Sequence, residues 1–491
     1  VGYNALEGGD FAGNDRQLSG NIAIGAFAMD ATGANAQTGT IAIGHQALTT
    51  QTNAARNVAI GYQAGYKILG GGENTLIGYS VGYQGTYGLT SGERNTAVGQ
   101  KAFGNSAGSD ITGDDNTAIG TNTLLEIQGG ASDNTALGSS AGQNITTASG
   151  SVFLGKDAGL TNTTGNMNIG IGYDAMNGGT TTGDNNIAIG VSAGDGLTSG
   201  RENIFMGSDA GGAVSSGLLN IGIGRNALKA TTTGNGIVAV GHDAISVGDP
   251  DSDTVAFGNG ALMNAAAGSL RNTALGHQAG SDHTTGDDTV YVGTNAGMQN
   301  RSGNNNTYVG SQAGEGVDNN SNHENVSVGM QSLHVITTGG GNTALGTYAG
   351  IALTTASGSV IIGGDAGKTI TTGNQNIAVG VGAMSGGTVT GDNNIAIGRS
   401  AGDAITSGKN NVLMGLNAGG AVTSPSNVVL IGKDAGGAID DPEADGSVVI
   451  GSGAGAALSE AIGSVAIGYQ ALAAENDGDF NTAIGYQALT A

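Results

Sequence analysis

Six histidines and two acidic loops are the places where side-chain type and spacing could support acid–base or metal chemistry, because the chain has no cysteine. His45, His242 and His277 each follow a recurring glycine, at a place also taken by Tyr62, Tyr79, Tyr173, Tyr469 and Tyr486. Interchange with tyrosine marks an exposed position of a repeat and not a ligand set. His283, His323 and His334 fall in loops of different repeats, with no carboxylate at useful spacing. Asp and Glu track the turns, so no catalytic pair or triad is expected and the chain is read as no enzyme. Gly170-Ile171-Gly172 lacks the third glycine and the following helix of a dinucleotide fingerprint. Without cysteine a thiolate metal site is excluded. Calcium is the one cofactor to weigh, for which Asp249, Asp251 and Asp253, and then Asp440, Asp441 and Asp445, offer hard oxygen ligands. Neither loop has EF-hand spacing, and both read equally as solvated insertions.

What positions these residues is a five-residue phrase, Asn186-Ile187-Ala188-Ile189-Gly190, repeated as Asn21 to Gly25, Asn394 to Gly398 and Asn481 to Gly485 and more loosely between them. Its glycines run from Gly2 through Gly25, Gly44, Gly61 and Gly78 to Gly468 and Gly485, with a period of roughly 17–18 residues. A short fixed period from end to end predicts a solenoid of about 28 coils. The phrase is a strand: large apolar residues such as Ile60 and Val98 precede the glycine, and Val58 or Thr96 stands two residues earlier. The apolar pair is read as the buried face, and the residue between them, usually alanine but Phe153, Tyr291, Tyr308 or Ser327 in places, as the freer one. Alanine three residues after the glycine (Ala47, Ala64, Ala141) marks a tight packing site. Thr163-Thr164-Gly165 and its equivalents form a second corner. The leading asparagines, stacked in register, would hydrogen-bond to one another or to the next coil's turn. Asn134 to Gly211 recurs as Asn342 to Gly419, so 134–211 reads as duplicated in 342–419.

Composition supports this architecture. There are 96 glycines but 3 prolines, without collagen's three-residue period, and regularly placed Ile, Val and Thr argue against disorder. The expectation is an all-β chain in which 1–491 forms a single continuous parallel β-solenoid. A net charge of −24 disfavours nucleic acid as a partner. No apolar run is long enough to span a membrane, so no membrane insertion by this segment is expected. The first residues, Val1 to Leu6, read as the back half of a repeat and the last as a front half, which suggests a section of something longer. If Leu48, Leu228, Leu262 and Leu489 project outward, they form an apolar stripe that a partner chain would bury. If they fit inside, the solenoid is monomeric.

The segments Asn21 to Met29, Asn57 to Gly65, Asn272 to Gly280, Asn376 to Met384 and Asn481 to Leu489 resemble the head repeats of trimeric autotransporter adhesins, the YadA-like or Hep/Hag type. They are also similar to repeats of bacteriophage tail fibres. The resemblance covers essentially the whole chain, with a repeat longer than the usual head repeat. It implies a left-handed β-roll, packed side by side as a homotrimer, in an extracellular, cell-surface or virion fibre that attaches to a host or surface receptor such as a glycan. A tail-fibre shaft is the alternative, and an ice- or calcium-binding solenoid a lower one. Stretches that depart from the repeat are the expected contact loops: Gly70 to Gly72, Tyr83 to Tyr87, Asn105 to Asp115, Gly316 to Glu324 and Asp440 to Asp445.

Overall fold

A computed structural model describes residues 2–5, 18–31, 37–105, 108–317, 320–441, 444–460, 462–476 and 478–490. Val1 and Leu6, parts of the loops at 105–115 and 316–324, and Pro442 and Glu443 lie outside the described residues. The chain divides into two compact units, Val1–Asp249 and Pro250–Ala491. Each is an all-β parallel solenoid, and the chain makes about 26 turns with a repeat of about 17 residues. That is fewer than the aligned glycines suggest, partly because no described strand precedes Gly2.

Each turn contributes one three-residue strand at the phrase, paired in parallel with the equivalent strand of the next turn. In the first unit Val58, Ala59 and Ile60 face Thr75, Leu76 and Ile77, which in turn face Thr96, Ala97 and Val98. In the second, Ile377–Val379 pairs with Ile395–Ile397 in the same register. The strands are short because a glycine ends each one. A Cβ on Gly61 would lie 2.1 Å from the carbonyl oxygen of Gly78, and one on Gly398 2.4 Å from that of Gly415. These glycines therefore file along one line in each unit, backbone against backbone, with φ near +137°. No side chain fits that file.

The strand faces are the reverse of the sequence expectation. The central residue points inward: Ala59, Ala97, Phe153, Tyr291 and Tyr308 are fully buried. The flanking Ile, Val, Thr and Leu turn outward, half-buried or exposed, with Ile22 at 46 % and Phe257 at 53 %. The physical reason is width. A narrow interior admits a large central residue such as Phe153 or Ile361 only where a neighbouring position is glycine, so most central residues are alanine and the regular rows of large residues face out.

Leu48, Leu228 and Leu262 also reverse the outward alternative, since all three are buried, while Leu489 on the last turn is exposed. They share the interior with the central strand residue, and the two positions trade volume. Ala42 accompanies Leu48, Ala97 accompanies Phe103, and Ala118 accompanies Leu124. Phe153, Phe205 and Tyr291 instead sit against Gly159, Gly211 and Gly297, whose hypothetical Cβ atoms would fall 2.2, 2.5 and 2.3 Å from the rings. Close packing of the interior enforces this exchange.

Two polar ladders run beside the core. The Asn74 side chain donates to the carbonyl of Gly92 at 2.9 Å, and its Oδ1 accepts from the Asn95 N–H at 2.9 Å. The pattern repeats through Asn95, Asn116 and Asn134, and in the second unit through Asn325 and Asn342. These asparagines are fully buried and are satisfied only because the next turn supplies the partners. A second ladder lies two residues earlier. The N–H of Ser132 donates to Ser149 Oγ, that of Ser149 to Asn166 Oδ1, and that of Asn166 to Asp184 Oδ1. The threonine corners do likewise, Thr354 Oγ1 donating to the Thr371 carbonyl at 3.1 Å.

Candidate interaction surfaces

The acidic loops come first, as the calcium candidates. Asp249 accepts from the N–H of Thr232 at 2.8 Å and from its hydroxyl. Asp251 accepts from the Gly268 N–H at 3.1 Å, and Asp445 from that of Ser426 at 2.6 Å. Asp253 takes a left-handed backbone, φ 55°. The carbonyl of Asp440 accepts from Thr423, and that of Asp441 from the Ala444 N–H. The carboxylates of Asp249, Asp251 and Asp445 cap neighbouring turns. Among the described residues no group of three or more His, Asp or Glu is placed to hold a metal ion.

The histidines take three kinds of place. His45 is a rung of an exposed aromatic column, stacked 5.3 Å from Tyr62, which stacks 5.3 Å from Tyr79, with Phe27 at 5.9 Å on the other side. His242 lies 3.0 Å from Asp243, and His277 is exposed. His323 Nδ1 accepts the Asn304 N–H at 3.0 Å. Contrary to the sequence expectation, His334 has a carboxylate beside it, its Nδ1 lying 3.2 Å from Glu315 Oε2 without hydrogen-bond geometry. The two are distant in sequence but occupy equivalent places on successive turns. His283 lies in a loop as expected, but its side chain is not exposed. It is buried between the carbonyls of Gly286 and Asn300 and meets the Tyr291 hydroxyl at 3.2 Å. Burial pushes its pKa below the usual histidine value, against the opposing pull of the two carbonyls.

The corners carry surface ion pairs between successive turns. Arg94 Nε meets Asp115 at 2.7 Å and Arg271 meets Asp288 at 2.6 Å. The guanidinium hydrogen bonds hold both carboxyls below the usual carboxylate range. Exposed pairs of this kind contribute little to stability.

Two surfaces remain that solvent alone does not explain. One is the pair of aliphatic ribs formed by the outward strand residues, such as Ile169, Ile187, Ile204 and Ile221 in one row and Ile171, Ile189, Met206 and Ile223 in the other. Comparable rows run along the second unit through Val360, Ile377 and Ile395, and through Ile362, Val379 and Ile397. The other is a hairpin, Tyr83–Gln84 with Tyr87–Gly88, the one antiparallel pairing among the described strands. Sequence reasoning named the hairpin as a contact loop but placed the ribs inside. No protein-family model, curated protein or solved structure matches the chain.

Proposed function

We propose that the chain is a structural and adhesive fibre segment whose copies pack side by side as a homotrimer through the aliphatic ribs. The ribs alone carry this reading, because Leu48, Leu228 and Leu262 lie inside and their row gives no argument for a partner chain. On the described three-residue strands a large apolar residue ends the outward face and Ile, Val or Thr begins it. Successive turns lie about 4.8 Å apart along the sheet, and apolar strips of that kind mark association surfaces. A second copy offers a matching periodic strip, so rung can meet rung. The resemblance of the repeat phrases to those of autotransporter heads and phage tail fibres points to the same arrangement. In this reading the fibre works mechanically outside the cell or on a virion, as a stiff carrier for contact loops and not as a catalyst. Light scattering tests it. The chain should have the mass of three copies, and Ile187→Asp with Ile189→Asp should lower it while parallel-sheet circular dichroism persists. A monomeric mass for the unaltered chain would overturn the proposal.

A further inference from the structure

Gly99 follows Gly78 at a longer interval than Gly78 follows Gly61. The extra length goes into the hairpin at Tyr83–Gly88. A two-stranded hairpin is marginal on its own, and here the neighbouring turns hold it. Lys67 Nζ donates to the Thr86 carbonyl at 2.6 Å and to Asp110 at 2.8 Å, and Asp110 also accepts the Gly88 N–H at 3.3 Å. The Tyr66 and Tyr83 rings lie 4.7 Å apart, tilted by 38°. The Lys67 ammonium sits 5.7 Å from the centre of the Tyr87 ring. Tyr87 thus lies over the Lys67 ammonium and Tyr66 packs on Tyr83 beside an ion pair whose side chains are 28 % and 36 % exposed.

From this cluster we infer a binding site for an uncharged pyranose. A sugar ring presents polarised C–H bonds on one face and hydroxyls around its rim. Tyrosine matches both, with an electron-rich face for the C–H bonds and a hydroxyl at its edge. Lys67 supplies a donor and Asp110 an acceptor. Charge selects against acidic sugars, because the ion pair cancels locally while the whole chain carries −24. The inference rests on the adhesive reading and names the ligand class for one of its contact loops.

The test uses the full chain on immobilised oligosaccharides ending in neutral hexoses or N-acetylhexosamines, with sialylated and uronic acid arms beside them. Binding to neutral arms is expected. It should be lost when Gln84 to Tyr87 are deleted, which shortens this interval to match the one from Gly61 to Gly78. Tyr87→Ala and Tyr66→Ala, which keep the chain length, should each weaken it about tenfold. Binding only to acidic arms, no binding at all, or full binding by the deletion and both alanine variants would overturn the site. Because the fibre reading is judged by trimer mass, loss of the site with the trimer intact separates the two.

Discussion

The exchange of volume inside the coil makes a quantitative demand at Phe153 and Gly159. Phe153 is fully buried, and a Cβ on Gly159 would lie 2.2 Å from its ring. Gly159 has φ +61°, but so in effect do Leu48 at 52°, Phe103 at 56° and Leu124 at 50°, which fill the same place in other turns. The glycine is therefore required for space more than for its dihedral angle. Gly159→Leu alone should cost about 1–2 kcal/mol for the left-handed backbone and about 1–3 kcal/mol for overpacking. Phe153→Ala alone should cost about 3–5 kcal/mol through the cavity it leaves. Together the two recreate the Ala118 and Leu124 arrangement. The double variant should then lose only the dihedral cost, about 1–2 kcal/mol, so the sites couple by several kcal/mol where independent sites would add. Urea unfolding should be followed together with amide exchange in this turn, because repeat arrays can open piecewise. A double variant as unstable as the two singles summed would refute the volume argument.

Asn186→Ala should be far more damaging than Asn186→Ser. Alanine strands the Asn203 N–H and the Gly200 carbonyl in the interior, at about 1–3 kcal/mol each, whereas Ser151 already fills an equivalent rung; equal unfolding midpoints would contradict the ladder. His283 has a folded-state pKa below its unfolded one. The stability it contributes is therefore complete above about pH 6.5 and falls as acidification drives protonation of the unfolded chain. Replacing it with asparagine, as at Asn300 one turn on, should flatten the unfolding midpoint between neutral and mildly acidic pH; an unchanged slope would count against this. Chelating calcium should leave the unfolding temperature unmoved, and a drop would return Asp249, Asp251 and Asp445 to consideration as ligands.

The solenoid, its period, the glycine file and the asparagine ladder were all legible in the sequence. The glycine file rests on a contact that tolerates one residue type, as between Gly61 and Gly78, and the ladder on a place where asparagine predominates and serine can stand in. Which strand face lies inside was misread, because large aliphatic residues such as Val58 and Ile60 were weighed over the constancy of Ala59. Uniform smallness was the better signal, and the same logic had correctly placed Ala64. The capping ladder through Ser132, Asn166 and Asp184 was missed, although Ser, Asn or Asp stands two residues before many ladder asparagines. The contact of His334 with Glu315 was missed because stacking, and not chain distance, brings them together. The aromatic hairpin showed only as an interval of unusual length.

The glycine file also bears on how such a chain grows. Its rise is set by main-chain contact at one edge, so a turn can lengthen at the opposite arc, as at Tyr83–Gly88, without disturbing the stack. Any whole number of turns copied between equivalent glycines presents matching ends to its neighbours. The offset between the two copies of the duplicated block, from Gly138 to Gly346, is such a whole number of periods. Recombination between near-identical phrases can therefore extend or shorten the gene product in units that need no repair of the join.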